Sequence, residues 1–470
     1  MAFQDSAIST NYTQTLADYA YNLKYEDLPP EVVERAKFIL IHTFGAAMAS
    51  SGVEMSRKAI ETGKALNGGS GGNATAWLDG SPLSMANAAF VNGTLSDMLD
   101  WEDCAWTGHP AAGVIPVAWA VAEAQKKSGK DLITAIVAAY EVYTRIAMAV
   151  QNPKGQEAGN GWGLVSWQIF GAIIPACKLL DLEPGQINQA IGFGTSCSTI
   201  PASLHNTTMS DAYHYEHGFR AHSGVAIAHA VKNGVMNYQD ALDYKTAYAI
   251  HMTPDEDPTW YTRDLGKRYL IMETLLKHWP ANMWVQTPVE LAHILTEKYN
   301  LKPEEIKEII IDPPTAKRMA FSPTGYTSLT HAQFSIPYVV STAIHHPRPG
   351  AYWYSPENMT DPSILALAGK VHAGPTPQHT LRGSFKLMQD GSYPVKTLTV
   401  ITNDGRTLSE TMDRHPGHPY NMMTREELSD RFFLQSEDVY SRGKAEQALE
   451  AFWDVENCPD ISMLAHFLHR

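Results

Sequence analysis

The sequence predicts a mainly α fold, with a large helical domain assembled from both chain ends and a smaller α/β lid domain inserted between them. Three observations predict it. Up to about residue 250, apolar side chains recur at steps of three and four, the period of amphipathic helices. Near residue 265 the pattern changes to short runs of strand type, ending in a hairpin signal. After His415–Pro419 the helical pattern returns. The boundaries that follow are 1–265 and 413–470 for the helical domain and 266–412 for the lid. At 470 residues the chain exceeds what one compact core organises.

Each element has a local reason. Leu28-Pro29-Pro30-Glu31 puts prolines at the start of a helix, and Val33, Ala36, Leu40, Phe44 and Ala47 then share one face. Helices are expected over Ser84–Leu99, Ala112–Lys127, Asp131–Val150 and Leu164–Leu180. Another is expected over Gly218–Asn233, entered from a polar loop. Small residues such as Ala135, Ala138, Ala226 and Ala230 let helix axes approach closely. In the lid, Glu308–Asp312 is a short strand. Val395–Thr402 alternates apolar and polar residues, and Asn403-Asp404-Gly405 turns the chain into Arg406–Glu410. Thr424-Arg425-Glu426-Glu427 is a capped helix start.

The composition limits the function. A net charge of −14 argues against nucleic-acid and membrane-surface partners. The four cysteines form no CxxC pair, so no disulfide framework is expected and a reducing cytoplasm is the simplest location. Met1–Thr10 lacks the apolar core of a signal peptide. Leu132–Val150 is interrupted by Glu141 and Arg145 and reads as a buried helix, not a membrane span. No Walker loop or GxSxG elbow is present, and Gly192-Phe193-Gly194 lacks the third glycine of a dinucleotide loop. No cofactor is expected.

Three segments carry candidate chemistry. Asp97, Asp100, Glu102 and Asp103 precede Gly108-His109-Pro110, and acids beside a histidine form a tunable acid/base pair. By residue type alone, this segment reads first as a solvated helix end with a capping His-Pro turn, and only second as a catalytic one. Tyr213-His214-Tyr215-Glu216-His217 groups histidines at a spacing that matches no metal motif, so no metal is expected. Lys277-His278-Trp279-Pro280-Ala281-Asn282 offers a lysine and an amide near the domain junction.

Together these segments resemble the MmgE/PrpD family, which includes 2-methylcitrate dehydratase, cis-aconitate decarboxylase and iminodisuccinate epimerase. The resemblance rests on Leu28–Lys37, Leu99-Asp100-Trp101-Glu102-Asp103 with Gly108-His109-Pro110, and Gly161-Trp162. It continues through His217-Gly218-Phe219-Arg220-Ala221, Lys277–Pro280 and Ala332-Gln333-Phe334-Ser335-Ile336-Pro337-Tyr338. It implies a cofactor-independent homodimer that binds a small carboxylate between helical domain and lid. The chemistry it implies is proton removal next to a carboxylate.

Carried over residue by residue, the resemblance implies an acid/base set of Asp100, His109 and Tyr213. His214, His217, Lys277 and Gln286 would position the substrate, and Trp162 would wall the pocket. Departures accompany it: Tyr213 stands where the family has a lysine, Gln286 where it has a histidine, and Gly161-Trp162-Gly163 where another histidine is common. Fewer cationic groups weaken the case for a tricarboxylate. The expected activity is a dehydratase-like lyase acting on a small hydroxy-carboxylate. The alternatives are an isomerase or epimerase of an iminodicarboxylate, and a catalytically degenerate binding protein.

Overall fold

The computed structural model describes residues 10–105, 108–150, 166–198, 209–244, 248–253, 256–315, 318–377 and 394–470. The fold is mainly α. The principal helices of the larger unit are α1 (Pro30–Ala49), α2 (Met85–Asp97), α3 (Pro110–Gln125), α4 (Gly129–Val150), α5 (Gln168–Leu179) and α6 (Ala212–Lys232). In the lid follow α7 (Gln286–Tyr299) and α8 (Ile336–His345), and α9 (Arg425–Ser436) and α10 (Arg442–Trp453) close the chain. One hydrophobic core joins residues from Leu16 to Ile271 with Leu428, Phe432, Phe452 and Leu468, so α9 and α10 pack back onto the N-terminal helices. A second core runs from Trp279 to Val400 and takes in Leu99 and Trp101 from the larger unit.

Two short strands stitch the units together. β1 (Asp103–Cys104) pairs antiparallel with β2 (Leu275–Leu276), Asp103 opposite Leu276. The lid sheet adds β3 (Ile306–Asp312), β4 (Val371–Ala373), β5 (Lys396–Thr402) and β6 (Thr407–Met412), in the order β4-β3-β5-β6. Only the β3–β4 pair is parallel. Along β5 alternate residues Leu398 and Val400 are buried, the period of a sheet covered on one face. Gly405, at φ 89°, supplies the left-handed corner of the hairpin.

The central helices sit close because small residues line their crossings. A Cβ on Gly224 of α6 would lie 2.7 Å from the Ala172 carbonyl carbon of α5, and one on Gly218 would lie 2.5 Å from the Phe90 carbonyl oxygen of α2. Gly224→Ala is therefore expected to destabilise the fold by about 1–3 kcal/mol through overpacking, despite alanine's better helix propensity. A urea unfolding curve checks it, and an unchanged midpoint would mean that α5 and α6 separate freely.

The helix α4 is, among the described residues, long and apolar enough to cross a membrane, yet it is wholly buried within the protein. Its two buried charges pair, with Arg145 Nη2 3.0 Å from Glu141 Oε2, whereas Lys130 and Asp131 stand in its first turn. Arg145 also donates to the carbonyls of Arg263 and Arg268, and Glu141 accepts from Ile271 N–H. The pair thus brackets the chain just before it enters the lid.

The polar loop expected ahead of Gly218 is instead the first turns of α6, which starts at Ala212. Gly218 does not interrupt the helix, because its missing side chain is what admits α2. Tyr213, His214 and His217 therefore project from one rigid element.

Candidate active site

The acidic segment begins where α2 ends. Asp97 is its last residue, and Asp100 N–H donates to the Asp97 carbonyl at 2.7 Å with Asp100 at φ 50°. Aspartate is among the side chains that tolerate this left-handed corner. The β1–β2 pairing brings the lid chain alongside, and Lys277 N–H donates to the Glu102 carbonyl at 3.2 Å. The Lys277 ammonium consequently lies on Asp100 Oδ1 and, at 2.7 Å, on Glu102 Oε1. Asp103 faces away, accepting from Tyr140 O–H and from Ala111 N–H.

His109 sits at the start of α3, where Gly108 at φ 115° turns the chain and Pro110 opens the helix. Its Nδ1 contacts Glu102 Oε1 and lies 3.0 Å from Asp97 Oδ1 and 3.3 Å from Lys277 Nζ. Its Nε2 lies 3.0 Å from the Tyr213 hydroxyl. From α6, His214 Nδ1 bonds Asp97 Oδ2 at 2.6 Å and its Nε2 bonds Thr330 Oγ1 of the lid at 3.2 Å. Gln168 donates its amide N–H to the His109 carbonyl, so its Oε1 must accept from His217 Nδ1 at 3.0 Å. That fixes the His217 tautomer with hydrogen on Nδ1. Asp97, Asp100, Glu102, Lys277, His214 and His217 have no exposed surface, whereas Tyr213 keeps 6 % of its own. Tyr213 is thus the outermost of the group. A cleft at the seam, lined by Met55, Asp211, Tyr215, Thr327 and Ser328, lies one helical turn or less from it.

The electrostatics assign protonation states. Burial and the Lys277 ammonium push the His109 imidazole down, but Glu102 and Asp97 outweigh them and hold its pKa up to about 10. Lys277 is disfavoured by burial, yet Asp100 and Glu102 raise its pKa above the usual lysine value. Burial raises the Asp97 carboxyl, but His109 and His214 hold it well below the usual range. His217, which burial lowers to about 3 despite Asp97, is neutral. Burial, reinforced by Asp97, Asp100 and Glu102, pushes the Tyr213 hydroxyl well above its ordinary value. The Tyr213 hydroxyl therefore stays protonated, with an imidazolium behind it. Asp100 Oδ2 has no hydrogen-bond partner among the described residues.

Of the residues singled out from sequence, Asp100, His109, Tyr213, His214, His217 and Lys277 converge here. Lys277 and His214 do so by binding protein carboxylates, which commits their charge before any substrate arrives. Gln286 departs from its expected role. Its Oε1 accepts from His278 and Trp279 N–H, and its amide donates to the Trp279 and Ala281 carbonyls. It folds the 278–281 turn and has no group left for a ligand. Trp162 lies outside the described residues. Gln168, Thr330 and Arg318 join the site without a sequence signal, since none stands in a motif. Asp97, the hub of three histidines, was visible only as a residue three positions before Asp100.

Asp97, Asp100, Glu102 and His109 bring ligand atoms within 4.8 Å of one another, a spacing a metal ion could share. Lys277 Nζ already lies against three of these four, however, and neutralises the acids in the way a cation would.

The chain belongs to the MmgE/PrpD family. The family's N-terminal domain matches residues 14–261 and its C-terminal domain residues 279–456. Relatives include cis-aconitate decarboxylase of Homo sapiens, 23 % identical across 97 % of this chain and 94 % of that protein. The cis-aconitate decarboxylase of Aspergillus terreus is 23 % identical across 99 % of this chain and 97 % of that protein.

Proposed function

We propose that this chain is a cofactor-independent lyase that removes water from a small hydroxy-carboxylate. The observation that carries the reading is the Asp97–His109–Tyr213 contact chain, which sets a protonated imidazole behind the outermost hydroxyl of a sealed, acid-rich site. Asp100 Oδ2 takes the proton from the carbon next to the substrate carboxylate. The electrons of that C–H bond form the alkene as the C–O bond breaks. Tyr213 gives its proton to the departing hydroxyl, which leaves as water, and recovers one from His109 Nε2–H. Lys277 holds Asp100 in place through Oδ1 and leaves Oδ2 for the substrate. Positioned acid and base groups of this kind contribute about 10²–10⁴-fold each.

The relatives' activity on cis-aconitate supports proton chemistry beside a carboxylate, and the low identity leaves room for a different acid. The test offers the purified protein malate, other small hydroxy-acids and cis-aconitate. Ultraviolet absorbance from a new alkene, with loss of one water, is the expected result. Inversion at the α-carbon with no alkene formed would replace this reading with an isomerase.

A further inference from the structure

We infer that Arg318, contributed by the lid, grips the substrate carboxylate that flanks the carbon losing its proton. The inference rests on the lyase reading above and adds to it the group that receives the substrate's charge.

The first support is what Arg318 does not do. Its guanidinium stacks over the Phe334 ring, 4.4 Å from the centroid. Its Nε is buried without a hydrogen-bond partner among the described residues, where it makes no ion pair either. A guanidinium offers five donors in a planar fork that matches a carboxylate, and leaving buried donors unused is unfavourable unless a ligand takes them.

The second support is position. Phe334 meets the Tyr213 ring edge-on at 5.6 Å between centroids, and Tyr213 bonds His109. The Arg318 carbonyl accepts from Ile336 N–H at 2.8 Å, which fixes the residue against the start of α8. Burial pushes the Arg318 guanidinium down to about 10, and the nearness of Tyr213 and Asp100 works against that shift. The arginine therefore shares its surroundings with both the proposed acid and the proposed base.

The third support is charge balance. Lys277 is spent on Asp100 and Glu102, His109 on Glu102 and Asp97, and His214 on Asp97. The nearby Arg35 and Arg431 are turned onto the carbonyls of Thr274 and His278. Among the described residues of the site, Arg318 is the cation that no protein oxygen has claimed. It lies where negative charge builds on the carboxylate as the neighbouring carbon is deprotonated, and a fixed positive group there favours the transition state. One uncommitted cation matches one carboxylate, so a tricarboxylate is disfavoured.

Calorimetric titration with malate and with its uncharged diamide tests this on the full chain. The wild type is expected to bind malate and to discriminate against the diamide. Arg318→Gln should reduce that discrimination about 10- to 100-fold, and Arg318→Lys should retain part of it. The unfolding midpoint of Arg318→Gln should stay close to that of the wild type, because among the described residues the side chain makes no hydrogen bond or ion pair and the variant loses only the stacking on Phe334. Undiminished discrimination in Arg318→Gln would overturn the inference alone. Failure of the wild type to bind malate, succinate or cis-aconitate would overturn it together with the lyase reading.

Discussion

Lys277→Met is expected to destabilise the folded protein by about 3–5 kcal/mol, the effect of removing one partner from a buried ion cluster. The ammonium touches Asp100 and Glu102, and none of the three has exposed surface. Without it two carboxylates remain in a low-dielectric interior with Asp97 close by. Methionine keeps the length of the stem, so the change reads charge and not volume. The triple variant Lys277→Met, Asp100→Asn, Glu102→Gln should recover part of that loss, because it removes the uncompensated buried charges while leaving two buried amides to be satisfied. Urea unfolding measures both. A single variant as stable as the wild type would mean that the cluster is open to solvent.

The second large effect concerns turnover. His109→Gln should lower kcat by about 10²–10⁴-fold, since glutamine can still donate towards Glu102 but cannot pass a proton to Tyr213. The wild-type pH profile follows from the charge of His109. Burial and Lys277 oppose protonation, Glu102 and Asp97 favour it more, and the pKa rises from 6.5 to about 10. The acid form therefore persists through neutral pH, and activity falls as pH rises through about 10. The same shift favours the folded state below pH 6.5, and that contribution is lost as pH rises towards 10. Asp97→Asn removes one of the two acids responsible, so its alkaline limb should move to lower pH. An unmoved limb in that variant would show that Asp97 does not tune His109.

Much of this was legible in the sequence, and the remainder has physical reasons for staying hidden. The helices α2 to α5 follow from apolar periodicity, and the β5–β6 hairpin from Asn403-Asp404-Gly405. Asp100 and His109 lie nine positions apart in one segment, so local reading could pair them. The approach of Lys277 could not be read in that way, because it depends on β1 pairing with β2 across more than 170 residues. Tyr213 and His214 read as loop because polar residues broke the apolar pattern. They are helical because those polar groups are satisfied inside the fold by His109, Asp97 and Thr330. Gln286 was drawn to the site by resemblance, yet its amide bonds show it organising a turn. Arg318 belongs to no motif, and only its stacking on Phe334 and its unused donor single it out.

The most direct test of the central claim, proton removal beside a carboxylate by this cluster, is turnover in deuterium oxide, with recovered acid and product analysed by mass spectrometry. The account predicts that the wild type exchanges the α-hydrogen of a small hydroxy-acid for deuterium, and that Asp100→Asn loses the exchange while Gly224→Ala, where folded, retains it. Turnover of the acid with the α-hydrogen kept intact, or exchange that survives in Asp100→Asn, would contradict it.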